Sequence, residues 1–222
     1  EIGGKPILWH IMKIYAHYGY RDFILPLGYK GDYIKDYFLR QNYYERDFSL
    51  TTGEENKEVK FLTNDELERD KFNIIFSETG LETPHGERIL KLKKYISEDL
   101  FMVTYGDGVA DINIDKLVEF HKNKGKIATI TGVNPASRWG LINVDENDLI
   151  TDYAQKPTLY GYVNGGFMVF NKEMFNFIKE GDMIEDTFSR MLPQKELVMY
   201  KHEGFWYGMD TYRDFLLLNE LW

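Results

Sequence analysis

A chain of 222 residues, 43% hydrophobic and 16% aromatic, can bury a sizeable core, and one domain is its simplest organisation. A net charge of -9 argues against a broad nucleic-acid footprint, which needs a basic face, but leaves room for a local cationic phosphate pocket. Without cysteine there are no disulfides, thiolate metal sites or cysteine nucleophiles, and no apolar run approaches the ~18 residues of a membrane span.

In chain order, Pro6 to Tyr18 carries apolar residues at helical spacing, with Pro6 suited to the first turn and Gly19 to the stop. "DFILPL" (22–27) reads as a short buried strand, and "GYKGDYIKDYF" as a loop opening a second helix. Residues 41–70 are polar and irregular, with a strand candidate at "EVKFLT", so this stretch reads as an insertion or hairpin. A strand is expected at 72–79, a helix at 86–96 and a more apolar strand at 99–107. Residues 114–125 form a helix stopped by Gly125, followed by a β-branched strand at 126–133. This alternation predicts an α/β fold with a mostly parallel sheet, which the family resemblance given below makes a mixed, mostly parallel central sheet. After residue 133 the rhythm changes. A hairpin is expected at 140–157, a strand broken by two glycines at 162–171, and a helix over "KEMFNFIKEG". A strand running into a loop then leads to a final helix at "YRDFLLLNELW".

Asp107 lies between Gly106 and Gly108 at the tip of the third strand. Ligands of open α/β sheets gather outside such carboxyl ends, and Mg²⁺ takes one or two carboxylates plus substrate phosphates. Locally, an ordinary Gly-Asp-Gly turn accounts for the same residues. Asp210, before Thr-Tyr-Arg-Asp, reads as a helix N-cap or as a second carboxylate for the same ion. Lys156 before Pro157 is either a solvated charge or a phosphate ligand. Asn164-Gly165-Gly166 interrupts a strand, as happens at a bulge or where a ligand approaches closely. His85 and Arg88 flank Gly86 at a loop-to-helix junction suited to an anion, or to a plain capped turn. The phosphate-loop, zinc-protease and serine-hydrolase motifs GxxxxGK[ST], HExxH and GxSxG are all absent.

The stretches "EIGGKPILWHIMKIYAHYGYRDFI", "TYGDGVADINI", "KP" with "NGGFMVF", and "GFWYGMDTYRD" resemble, in order, the glucose-1-phosphate cytidylyltransferases among the sugar nucleotidyltransferases. The resemblance implies a Rossmann-like, three-layer nucleotidyltransferase fold over residues 1–222. It implies transfer of CMP from CTP to a phosphorylated acceptor with release of pyrophosphate. Asp107 and Asp210 would hold Mg²⁺, and Lys156 would bind the acceptor phosphate. Gln155, Asn164, Gly165 and Gly166 would line the acceptor pocket, while Gly86, Arg88, Tyr105 and Gly106 approach the nucleotide. The same resemblance implies a homo-oligomer serving surface-polysaccharide synthesis, while the acidic charge and the lack of a spanning apolar run point to a cytoplasmic protein with neither nucleic acid nor membrane as partner.

The family's opening strand and glycine-rich loop, with a Thr-Arg pair and a lysine, would lie upstream of Glu1. Where the family has Glu before Lys-Pro this chain has Gln155, and its Gly-Gly-Arg reads Gly86-Glu87-Arg88. The first expectation is therefore a CDP-hexose-forming enzyme. The alternative from the same chemistry is a non-sugar acceptor such as phosphoglutamine. A non-catalytic nucleotide sensor and a metal-dependent glycosyltransferase complete the set.

Overall fold

The computed structural model describes residues 1–52, 58–62, 71–137, 139–155, 157 and 161–222. Helix α1 (Ile7–His17) leads to β1 (Asp22–Leu27), α2 (Gly31–Glu45) and an antiparallel pair, β2 (Phe48–Thr51) and β3 (Glu58–Phe61). Next come β4 (Asn73–Glu78), α3 (His85–Leu92), β5 (Leu100–Val103), β6 (Gly108–Ala110), α4 (Ile114–Lys124) and β7 (Ala128–Val133). A second hairpin, β8 (Leu141–Val144) and β9 (Ile150–Ala154), precedes β10 (Val163–Asn164) and β11 (Met168–Asn171). The chain continues through α5 (Ile184–Met191), β12 (Leu197–His202), β13 (Trp206–Gly208) and α6 (Tyr212–Leu221).

Strand pairing is mixed, as the resemblance implied, with a five-stranded sheet in the order β10-β7-β11-β5, β12 beside β7, and a separate parallel pair of β1 and β4. Strands β1 and β4 pair in parallel from Asp22↔Asn73 to Leu27↔Glu78, and β7 and β12 in parallel from Ala128↔Leu197 to Val133↔His202. Strand β11 runs antiparallel to both β5 (Met168↔Val103) and β7 (Val169↔Thr129), so antiparallel pairing is more prominent than the strand–helix alternation indicated.

Strand β11 also explains the three layers. Successive strand side chains point to opposite faces. Phe167 and Val169 enter one core with Ile11 and Tyr15 of α1, Leu117 of α4 and Leu218 of α6. Met168 and Phe170 enter the other core with Ile89 of α3 and Phe188 and Met191 of α5. A strand covered on both faces must be apolar at every position, which is why "GFMVF" reads as a continuous run.

The helices at 7–17 and 114–124 match their periodicity, and Gly125 ends the latter at φ +58°. Several elements differ from expectation: β5 ends at Val103 rather than reaching residue 107, β6 was not expected, and the loop expected after β12 holds β13. The segment after β11 is a short 3-10 helix (Lys172–Asn176) rather than an α-helix, and its tighter turn sets Met174 and Phe175 into the core. The α5 segment went unread, although Ile184, Phe188 and Met191 sit at helical spacing and are buried. Eight residues between Gly181 and Pro193 give too few turns for the period to stand out.

Between β10 and β11 the chain kinks. Gly166 has φ +74° and Phe167, which is not glycine, has φ +47°. This conformation is held because the fully buried Thr131 donates its hydroxyl to the Phe167 carbonyl at 2.7 Å, and its own carbonyl accepts the Gly165 N–H at 2.9 Å. Thr131→Val keeps the shape and deletes that hydroxyl. It should lower unfolding free energy by about 1–3 kcal/mol, read from urea denaturation midpoints at unchanged slope.

Candidate active site

Asp107 and Asp210 meet because β6 and β13 pair antiparallel, Gly108 opposite Gly208 and Trp206 opposite Ala110. The pairing extends one step beyond the strands, where the Met209 N–H donates to the Asp107 carbonyl at 2.8 Å. Both carboxylates thus stand at one end of this two-stranded ribbon, just past the carboxyl end of β5. Asp107 keeps access to solvent, yet local desolvation and then the facing Asp210 carboxylate raise its pKa above the usual value, while His85 partly offsets this.

The N-cap of α6 is Thr211, not Asp210: the Thr211 hydroxyl accepts from the Asp214 N–H, and Asp214 answers in a capping box. The buried Asp214 carboxylate accepts from the Thr211 N–H (2.9 Å), the Asp210 N–H (3.2 Å), the Thr211 hydroxyl (2.8 Å) and the Tyr207 hydroxyl (3.0 Å). It fixes the backbone that carries Asp210. The sequence signal for Asp214 was present as Thr-x-x-Asp.

Tyr105 forms the adjoining wall. Its hydroxyl accepts from Asn164 Nδ2 at 3.0 Å. Burial, then Glu185, then Asp107 push its pKa up to about 12, so it stays a protonated donor at neutral pH. The His85 ring lies against it, with centroids 6.4 Å apart. Asn164 Oδ1 accepts the Gly166 N–H at 3.0 Å, and Trp206 Nε1 donates to the Gly165 carbonyl at 2.8 Å. A Cβ on Gly165 would stand 2.6 Å from Val133, so only glycine lets the chain pass here. Glu185 was missed from the sequence, since a lone acid in an unread helix carries no local signal.

The remaining candidates are placed differently. Gly86 is buried, and a Cβ there would come within 2.8 Å of the Asp182 carbonyl and 2.9 Å of that of Met183. Its smallness lets the start of α3 pack on the start of α5. The Arg88 guanidinium donates to the carbonyls of Leu27 and Leu81 (both 3.1 Å) and to the Thr79 hydroxyl. It thereby ties together the loops at the carboxyl ends of β1 and β4. Gln155 follows β9, and its Oε1 accepts from the Tyr153 hydroxyl at 2.7 Å, away from the aspartate pair in its contacts. Lys156 lies outside the described residues. Gly106 leads directly into Asp107 with open space at its Cα.

The donor set suits magnesium. Among the described residues there is no cluster of three or more His, Cys, Asp or Glu side chains that would cage an ion. Two facing carboxylates, one destabilised by the other, are what a hard cation completed by phosphate oxygens and water would relieve. Paired carboxylates at the strand tips of a three-layer α/β sandwich are an arrangement that a metal-bridged phosphate compound would suit.

That class of protein is a nucleotidyltransferase. The sequence profile of the nucleotidyl transferase family matches residues 1–221, and the chain belongs to that family. It is 43% identical over its whole length, and over 85% of the relative's, to the "Probable glucose-1-phosphate cytidylyltransferase" of Bacillus subtilis. It is 37% identical over its whole length, and over 86% of the relative's, to the "Glucose-1-phosphate cytidylyltransferase" of Salmonella typhi. Among solved structures, HddC from Yersinia pseudotuberculosis superposes with TM-score 0.66 at 21% identity, covering 100% of this chain and 87% of that one. UDP-glucose pyrophosphorylase complexed with UDP-glucose gives 0.67 at 13%, covering 99% and 87%. These two likenesses speak to the fold.

Two outcomes follow from the aspartates. A carboxylate whose pKa rises on folding is penalised when ionised; the penalty is absent below the ordinary aspartate range and complete above the raised value. Asp107→Asn should therefore stabilise the metal-free protein increasingly as pH climbs through that window, seen as a growing difference in denaturation midpoints, while turnover falls at least about 100-fold. Asp214→Asn should lower turnover about 10–100-fold by releasing the Asp210 backbone, with a parallel rise in the magnesium concentration needed for half activity.

Proposed function

We propose that this enzyme is a CTP-dependent cytidylyltransferase that joins CMP to a hexose 1-phosphate, glucose 1-phosphate foremost, giving a CDP-hexose and pyrophosphate. The observation that carries the reading is the facing of Asp107 and Asp210 across β6 and β13. Identity of 43% along the whole chain to a "Probable glucose-1-phosphate cytidylyltransferase" supports the nucleotide and the acceptor.

An acceptor phosphate oxygen attacks the α-phosphorus of CTP; the new P–O bond forms as the bond to the β-phosphate oxygen breaks, and pyrophosphate carries away the electron pair. Such transfers need little covalent help, so the protein works by positioning and charge neutralisation. Asp107 and Asp210 would hold Mg²⁺, which when bound would supply neutralisation of phosphate charge. Lys156 meets the acceptor phosphate, and Gln155, Asn164, Gly165 and Gly166 bound the acceptor side. Tyr105 and Gly106 face the nucleotide, while Gly86 and Arg88 act at one remove by fixing the loops against which it lies. In this reading the enzyme is a cytoplasmic homo-oligomer of one nucleotidyltransferase domain, feeding surface-polysaccharide synthesis.

The test is pyrophosphate release by the full-length protein with CTP, Mg²⁺ and a panel of phosphorylated acceptors. Turnover is expected with glucose 1-phosphate and should stop on chelation of the metal. Turnover with phosphoglutamine and with no hexose 1-phosphate would overturn the sugar assignment.

A further inference from the structure

Between β7 and β10 the chain leaves the central sheet and returns to it, with Val133 and Val163 paired at the root of the excursion. Within it, β8 and β9 form a two-stranded sheet of their own. Every residue of β8 is exposed, and every residue of β9 except Ala154. A hairpin of two strands is only marginally stable by itself in water, and it normally rests one face on a core.

The two faces of this hairpin differ. Residues directly opposite one another share a face, as do residues two apart on one strand. Ile142 stands opposite Tyr153 and Val144 opposite Ile150, so these four make one face. They are 54%, 60%, 55% and 64% exposed in that order. The Tyr153 hydroxyl donates to Gln155 Oε1 at 2.7 Å, which leaves its ring as plain apolar surface. The other face carries Asn143 opposite Asp152, with Asn143 Nδ2 donating to the carboxylate at 3.4 Å. A wholly apolar face backed by a polar one is the pattern of a strand pair whose apolar side is covered.

The charges around that face select the cover. The four residues themselves carry none. The turn of the hairpin is acidic, with Asp145, Glu146 and Asp148. The root is basic: Lys201 is exposed, lies opposite Gly132 in the β12–β7 pair, and sets its Nζ 5.5 Å from the Tyr162 ring centroid. A second copy of the chain matches this surface. An uncharged apolar patch is complementary to itself across a two-fold axis, which sets the same patch of each copy on the other. With the axis across the strands, each acidic turn comes toward the basic root of its partner. With the axis along the strands, acid meets acid, which a chain of net charge -9 disfavours further.

We propose that the face formed by Ile142, Val144, Ile150 and Tyr153 is an interface between two copies of this chain, packed about a two-fold axis with each acidic turn against the Lys201 end of the other. The inference deepens the homo-oligomer reading given above and rests on it.

The experiment is sedimentation velocity of the full-length protein over a wide concentration range at low salt. It compares wild type, the pair Val144→Asp with Ile150→Asp, the single charge reversals Glu146→Lys and Lys201→Glu, and both reversals in one chain. Wild type should be an oligomer of an even number of copies. The aspartate pair should halve its mass, with the dissociation constant raised at least about 100-fold. Each charge reversal should weaken association about 3–10-fold, an effect that shrinks in salt, and both together should return it to within about twofold of wild type. Unchanged mass in the aspartate pair would overturn the assignment, and so would a lowered unfolding midpoint in that variant without any change in mass, since the face would then be covered by its own chain. Two reversals that fail to compensate one another would overturn the arrangement, and this arm stands even where the aspartate pair does not fold. A wild type that is monomeric at every concentration overturns the homo-oligomer reading and this inference with it, which the other failures do not.

Discussion

The pairing of β6 with β13 is the constraint on which the site depends. Two aspartates remote in sequence would not approach unaided, since like charges repel and Asp107 is partly desolvated as well. Backbone hydrogen bonds supply the force, from the strand register to the Met209 N–H on the Asp107 carbonyl. The buried Asp214 carboxylate then pins the far side, gathering donors from Tyr207, Asp210 and Thr211. The unfavourable proximity of the two acids is maintained by this framework.

The second structural device is the kink at 164–167. Strand β11 must present Phe167 and Met168 to opposite cores, and directly upstream the chain must bend to leave Asn164 at the pocket rim. Two glycines and a left-handed Phe167 produce the bend, and Thr131 and Thr104 hold it from neighbouring strands. Trp206 joins this kink to the ribbon through its bond to the Gly165 carbonyl, so Asn164 and the aspartate pair share one support.

On the opposite wall, close packing of α3 on α5 across Gly86 brings His85, Tyr105 and Glu185 together. Gly86 and Arg88, expected beside the nucleotide, have structural reasons of their own. The glycine admits two carbonyls that a Cβ would exclude, and the arginine cross-links the ends of β1 and β4. A residue can occupy a functional loop and act on ligand only through the shape it enforces.

The sequence by itself determined the helices at 7–17 and 114–124, the strands at 22–27 and 73–78, and the α/β class, because periodicity and end signals are local properties. It also singled out Asp107, Asp210 and the Asn164-Gly165-Gly166 break, since acids and glycines at strand ends are unusual enough to stand out. Local sequence could not separate a turn aspartate from a paired one, or name Thr211 rather than Asp210 as the cap. Those are settled by the register of β6 against β13 and by the Asp214 network, contacts between segments remote along the chain. The influence of Glu185 belonged wholly to tertiary structure: an exposed acid on a two-turn helix looks like any solvated charge until the fold brings its charge near Tyr105.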